Sequence, residues 1–279
     1  MLKTRIITAL VLLAVLLPVL YSNNYTAFAV VATVFFGAAI WECFRLFNPK
    51  STKAPIVAVF WTAAFAWAFF GPAQPNPVFW YAISLLLWAL RFAPSLKVGL
   101  PALDSTANTL LSVVYAVSLV GCFAAIVALF AYSPLYLLSV MAIVWAADIF
   151  AYFSGKAFGK RKLAPSISPG KSWEGAIGGG IAVLVLASLS VAFGGPAFAN
   201  TFAARVQAAF GWPALLAILV LMVAASIVGD LFESQLKRRA GMKDSSNLLP
   251  GHGGVLDRVD ALLPTLPIAM MLASLAAAT

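Results

Sequence analysis

The sequence predicts an all-α, polytopic membrane protein of about nine transmembrane helices, with a cytoplasmic N-terminus and a C-terminus on the opposite side. Three observations predict it. Residues are 63% hydrophobic and only 10% charged, against roughly 25% charged in a soluble domain. Apolar runs of span length recur along the whole chain. The basic residues fall almost entirely between alternate runs, on one side.

The runs cover residues 6–21, 27–44, 55–70, 78–90, 109–132, 135–153, 175–193, 213–231 and 261–278. The first follows Lys3 and Arg5 as a signal peptide would, but no small-x-small cleavage site follows, and it reads as a helix. The fourth is short, so it is tilted, re-entrant or extended to Pro75. Between the seventh and eighth runs, Phe198, Phe202, Val206 and Phe210 recur every four residues, with Arg205 and Gln207 off the stripe. That pattern predicts either a short amphipathic helix lying in the membrane interface or a plain loop.

Nine spans place 17 of the 18 basic residues beside the N-terminus or in the loops after spans two, four, six and eight. Only Arg205 falls opposite. Loops rich in Lys and Arg stay cytoplasmic, so the split sets the orientation. It also gives the net charge of +9 a topological reading, with no nucleic-acid partner expected. Cys43 and Cys122 lie in apolar runs and read as packing residues. We divide the chain into N-terminal helices over residues 1–100 and a second membrane region over 101–279, with cytoplasmic loops 154–174 and 234–260.

Seven of the nine acids lie in or beside those two loops: Asp148, Glu174, Asp230, Glu233, Asp244, Asp257 and Asp260. Asp148 sits about five residues inside the cytoplasmic end of span six, Asp230 at the end of span eight, and Asp257 and Asp260 lead into span nine. A carboxylate at membrane depth needs a cation, a metal or a wet cavity. A structural ion pair satisfies that need as well as a functional site does. Acids from three helix ends beside ten basic residues suit a divalent metal with phosphates.

The first loop carries Gly155, Gly159, Lys156, Lys160, Arg161, Lys162, Lys171, Ser166, Ser168 and Ser172. Glycine, lysine and serine together read as a phosphate cradle, although a loop that only sets topology also carries such charge. Ser172 is placed to cap the seventh helix. In the second loop, Pro250-Gly251-His252-Gly253-Gly254 cannot be helix and forms a turn that presents N–H groups to phosphate. His252 is either a structural, hydrogen-bonded residue or a member of the reacting set. Asp257 and Asp260 share a face of the first turn of helix nine, with Arg258 on another.

Ser234, Leu236, Lys237, Arg238, Lys243, Asp244, the Pro250–Gly254 run, Asp257, Arg258 and Asp260 stand at the spacing of one long pattern. In it the chain resembles the phosphatidate cytidylyltransferases, also called CDP-diacylglycerol synthases. The earlier stretch is similar too, through Asp148, Ala151, Tyr152, Gly155, Phe158, Gly159, Lys160, Lys162, Leu163, Ser168, Pro169, Lys171, Trp173, Glu174 and Gly175. Ser172 stands where Thr is commoner and keeps the hydroxyl. The resemblance covers about residues 148–260. It implies transfer of a cytidylyl group from CTP to phosphatidic acid in a bacterial inner membrane, a homodimer, and Mg2+, with K+ as a further candidate. It also implies that Asp230 and Asp257 belong to the metal site.

From these residues we expect Asp230 and Asp257 to bind metal, with Asp148 and Asp260 beside them. Lys237, Arg238, Lys243, Asp244, Arg258 and His252 complete the catalytic set. Lys160, Lys162, Ser168, Lys171, Ser172, Ser234, Gly253 and Gly254 are expected to bind CTP or the lipid phosphate. A CTP-dependent enzyme acting on another lipid phosphate is one alternative. A transporter is another, but transporters place polar residues at the bilayer midplane, and here they gather at one face.

Overall fold

A computed structural model describes residues 2–71 and 76–276, without the side chains at 2–5 and 9. The charges of Lys3 and Arg5, an extension of span four to Pro75 and the end of span nine at Ala278 lie outside the described residues. The elements in order are α1 (Leu2–Tyr21), α2 (Tyr25–Phe47), α3 (Ala54–Phe70), α4 (Pro77–Leu87), a π turn (Trp88–Phe92), α5 (Ala93–Val98), α6 (Thr106–Tyr132) and α7 (Pro134–Phe158). Then come β1 (Lys162–Ala164), β2 (Ser168–Ser172), α8 (Trp173–Phe193), a 3-10 turn (Pro196–Phe198), α9 (Phe202–Arg239), α10 (Leu256–Val259) and α11 (Leu262–Ala276).

Among the described residues, six helices are long and apolar enough to cross a membrane: Tyr25–Phe47, Pro77–Val98, Thr106–Tyr132, Pro134–Phe158, Trp173–Phe193 and Phe202–Arg239. Ile6–Tyr21, Ala54–Phe70 and Leu262–Ala276 are shorter and also apolar. The chain is an all-α membrane protein. Its surface says the same, since Phe60, Leu90 and Phe193 are each more than 70% exposed. In water such side chains would be buried, and here they meet lipid. Helix starts are local: Asn24, Asn76, Ser133 and Ser172 each accept a backbone N–H from the first turn of α2, α4, α7 and α8.

Four elements depart from the sequence expectation. Span four runs on to Val98 through the π turn, because Pro94 lacks the N–H of a regular ladder and its ring crowds the carbonyl four residues earlier. Arg91 and Lys97 therefore lie on helix, not in a loop. The first loop is a β-hairpin, with Lys162 paired to Ser172 and Ala164 to Ser168. The 198–210 stripe does fold as helix from Phe202, but Phe202 and Val206 are buried while Phe198 sits exposed in the 3-10 turn. Gly211, at φ 78°, breaks α9 just before Pro213. Span nine is also broken: Asp257 lies in α10, and Asp260 caps it before α11 begins.

The chain divides into two compact units, Met1–Val127 with Phe232–Asp260, and Ala128–Leu231 with Ala261–Thr279. The second loop thus packs with the N-terminal helices. The first unit is centred on aromatic rings: Phe232 lies 5.7 Å from Trp88, 4.8 Å from Phe92 and 5.1 Å from Tyr115 between centroids. In the second unit α7 lies directly on α8. A Cβ on Gly175 would come within 2.7 Å of the Ala151 carbonyl, and one on Gly179 within 2.5 Å of the Ala147 carbonyl. These small residues four apart let the backbones touch, as membrane helices do.

Candidate active site

In the first unit, Asp257 is the centre of a hydrogen-bond cluster. Its Oδ1 accepts from the Lys237 ammonium at 2.6 Å. Its Oδ2 accepts from Ser245 N, Ser245 Oγ and Gly254 N, each at 2.8 Å. Burial alone would push this carboxyl up. The hydrogen bond and charge of Lys237, with the Gly254 and Ser245 amides, outweigh burial and hold it below the usual carboxylate range. Lys237 also donates to the wholly buried Glu233 at 3.1 Å, four residues back on α9.

The Pro250–Gly254 run is the expected turn, closed by Leu249 N to Gly253 O and His252 N to Leu249 O, both 2.8 Å. Two of its glycines are forced by close approach. Gly253 sits at φ 84°, and a Cβ there would lie 2.7 Å from Asp257 Oδ2. A Cβ on Gly254 would strike Ser245 Oγ at 2.1 Å and Glu42 Oε1 at 2.3 Å. Beside the turn is a cavity of about 470 Å³, lined by Lys243, Asp244, Asn247, Gly251, His252, Gly253 and Arg258. That volume falls within the ~300–1,000 Å³ of small-molecule sites. The structure therefore brings together Lys243, Asp244, His252, Gly253 and Arg258 around one cavity, and adds Asn247. His252 Nδ1 is buried without a hydrogen-bond partner among the described residues. Arg238 is exposed on α9 and does not line that cavity, and Ser234 is half-buried. Asp260 is half-buried at the end of α10.

In the second unit, Lys171 on β2 pairs with Asp230 on α9, each side chain 27% exposed. Asp148 is exposed on the surface of α7. Ser172 spends its hydroxyl on capping α8, accepting from Gly175 N at 3.1 Å. Ser168 is half-buried in β2, and Lys160 and Lys162 are exposed. Glu174 anchors the start of the hairpin by accepting from Lys160 N at 3.0 Å, Arg161 N at 3.1 Å and Arg161 Nε at 3.1 Å.

Sequence reasoning assigned no role to Glu42, Ser245 or Glu174. Glu42, wholly buried in α2, accepts from Ser246 Oγ, Val255 N and Leu256 N. The signal was there, since an acid inside an apolar span needs donors. Its partners lie more than 200 residues away, where no spacing rule reaches.

No group of three or more His, Cys, Asp or Glu stands together as a metal cluster among the described residues. Mg2+ keeps several waters and is held by one or two carboxylates plus substrate phosphates, so single aspartates are the ligands it calls for. The donor chemistry fits as well. Asp257 and Asp230 each already hold a cation, a lysine ammonium, against a carboxylate oxygen.

A model of a cytidylyltransferase family matches residues 3–276. The chain is 38% identical over 291 residues to a phosphatidate cytidylyltransferase of Haemophilus influenzae, covering 96% of each chain. It is 32% identical to one of Helicobacter pylori, covering 94% of this chain and 88% of the relative. Over 132 residues it is 52% identical to one of Pseudomonas aeruginosa, covering 47% of this chain and 45% of the relative.

Proposed function

The chain belongs to the cytidylyltransferase family, and from that premise we propose that it transfers a cytidylyl group from CTP to phosphatidic acid, giving CDP-diacylglycerol and pyrophosphate. The observation that carries this to named residues is the cavity of about 470 Å³ at the Pro250–Gly254 turn, where Lys243, Arg258 and His252 gather. Such a lining suits a polyanion, which the cationic side chains hold, while the His252 and Gly254 amides are spent within the turn and on Asp257.

A phosphate oxygen of phosphatidic acid attacks the α-phosphorus of CTP. The bond from that phosphorus to the bridging oxygen breaks, and pyrophosphate leaves. The nucleophile is already an anion, so no strong base is needed. Positioning and charge neutralisation then supply the rate. Lys243 and Arg258 bind phosphate at the cavity, and Lys237 is oriented by Asp257 and Glu233 for the same task. Asp244 and Gly253 line the same cavity, and Arg238 and Gly254 belong to the set on the family resemblance alone. In the second unit Lys160, Lys162, Lys171 and Ser168 offer further phosphate contacts, while buried Ser172 holds the start of α8. Asp257 in the first unit and Asp230 in the second are the residues we assign to Mg2+, with Asp148 and Asp260 as further candidates and K+ as a second ion. A Mg2+ ion held by these carboxylates would supply charge neutralisation to the triphosphate.

The remaining assignments rest on the sequence. Nine spans, a cytoplasmic N-terminus and an inner-membrane location with the site facing the cytoplasm follow from the basic-residue split. A homodimer follows from the resemblance alone. Purified protein in lipid nanodiscs, given Mg2+ and CTP, should release pyrophosphate with phosphatidic acid. Equal or greater release with a polyprenol phosphate would replace the lipid assignment, and no release with either would remove the reaction.

A further inference from the structure

Glu42 of α2 is wholly buried, yet nothing in the transfer described above uses it. A carboxylate out of water is costly unless paired or fully hydrogen-bonded. No Lys or Arg is paired with it among the described residues. Instead Ser246 Oγ donates to its Oε1, Val255 N donates to Oε1 at 3.0 Å, and Leu256 N donates to Oε2 at 2.6 Å. Val255 and Leu256 are the entry to α10, whose first amides have no partner within the helix.

The same helix holds the loop at a second point. Arg45, one turn further along α2, donates to the Ser245 carbonyl at 2.9 Å. Ser245 in turn gives its amide and hydroxyl to Asp257 Oδ2. Two routes therefore run from α2 to Asp257, one through Ser245 and one through the start of α10. The Thr8 hydroxyl adds a third hold, on the Pro250 carbonyl at 2.8 Å. Gly254 fits between Glu42 and Ser245 only because it has no Cβ.

We propose that Glu42 is a positioning residue for the Pro250–Gly254 turn and Asp257, an inference that rests on the cytidylyl-transfer reading. It touches no substrate. It sets the geometry of groups that do, where a displacement of about 1 Å can cost ~100-fold in rate.

The test uses the full-length protein in nanodiscs. Glu42→Gln keeps the size of the side chain but turns an NH2 toward donors that need an acceptor. Glu42→Asp keeps the acceptor. Turnover with CTP and phosphatidic acid is measured beside amide hydrogen exchange by mass spectrometry. Expected for Glu42→Gln is a loss of about 10- to 100-fold in kcat/KM for CTP. Exchange should quicken in the peptide covering Val255 and Leu256 but not in peptides from α7 and α8. Glu42→Asp should recover part of both. Glu42→Gln with turnover within about threefold of wild type and unchanged exchange overturns the proposal. Exchange that rises alike in every helix also overturns it, because Glu42 would then serve general stability. A wild-type protein that makes no product refutes the reaction, and the exchange result is read independently of it.

Discussion

At the residue scale, Asp257 concentrates the account. It takes four hydrogen bonds, one of them from a lysine ammonium, while its side chain is only 4% exposed. Asp257→Asn would set an NH2 against the Ser245 and Gly254 donors or against Lys237. Activity should fall by ~100- to 1,000-fold, the loss typical of one electrostatic contact at a reacting centre. Insertion should be intact, as membrane-extracted yield and helix content would report. Near-normal turnover would remove Asp257 from the site. Its carboxyl is held below the usual range, so its charged form stabilises the fold. That contribution is complete above the unfolded carboxylate value of about 3.9 and is lost as pH falls through the lower folded value. Thermal melts of wild type from pH 7 to pH 3 should therefore drop more steeply than those of Asp257→Asn. Parallel curves would contradict the pairing. Asp230→Asn leaves Lys171 facing a neutral amide and should also abolish most turnover, measured as pyrophosphate release. Asp257 and Asp230 stand out in the sequence as acids at the ends of spans, and the family resemblance is what assigns them to the metal. Glu42 could be picked as rare too, but its role needed the contacts to Val255 and Leu256.

At the scale of elements, the helices were legible and the irregular pieces were not. Apolar runs mark a helix wherever each residue meets lipid or protein, so α2, α3, α6, α7 and α8 stand within a few residues of the runs that announce them. The hairpin of β1 and β2 carries neither alternation nor length. It is held by Glu174 binding the Lys160 and Arg161 amides, a contact that periodicity does not register. The breaks have local chemical causes that composition conceals: Pro94 just after the π turn and Gly211 before Pro213. The α7–α8 contact gives the element-scale prediction. Gly179→Val would press two methyl groups onto the Ala147 carbonyl and Ala151. Stability in detergent should fall by about 1–3 kcal/mol, the usual penalty for overpacking, read from the denaturation midpoint. Gly180→Ala, where the nearest atom to a new Cβ is 3.9 Å away, should change little, and equal effects would refute the packing argument.

At the scale of the whole molecule, the N-terminal helices are more than an anchor. Residues Met1–Val127 share a compact unit with Phe232–Asp260, which holds the polar cavity and the Asp257 cluster. Arg45, Ser95 and Pro101 all contact that segment: Arg45 donates to Ser245 O, Gln235 donates to Ser95 O, and Arg239 donates to Pro101 O. The local motif identified the family but was silent on this support, since sequence patterns carry no distance between remote segments. Both units together serve one reaction, the movement of a cytidylyl group onto a lipid phosphate. The direct measurement supplies nanodisc-embedded protein with phosphatidic acid, Mg2+ and CTP labelled at either the α- or the γ-phosphorus. The account predicts that α-label passes into solvent-extractable lipid, while γ-label stays in water as pyrophosphate. γ-Label in the lipid, or no lipid label from either CTP, would contradict it.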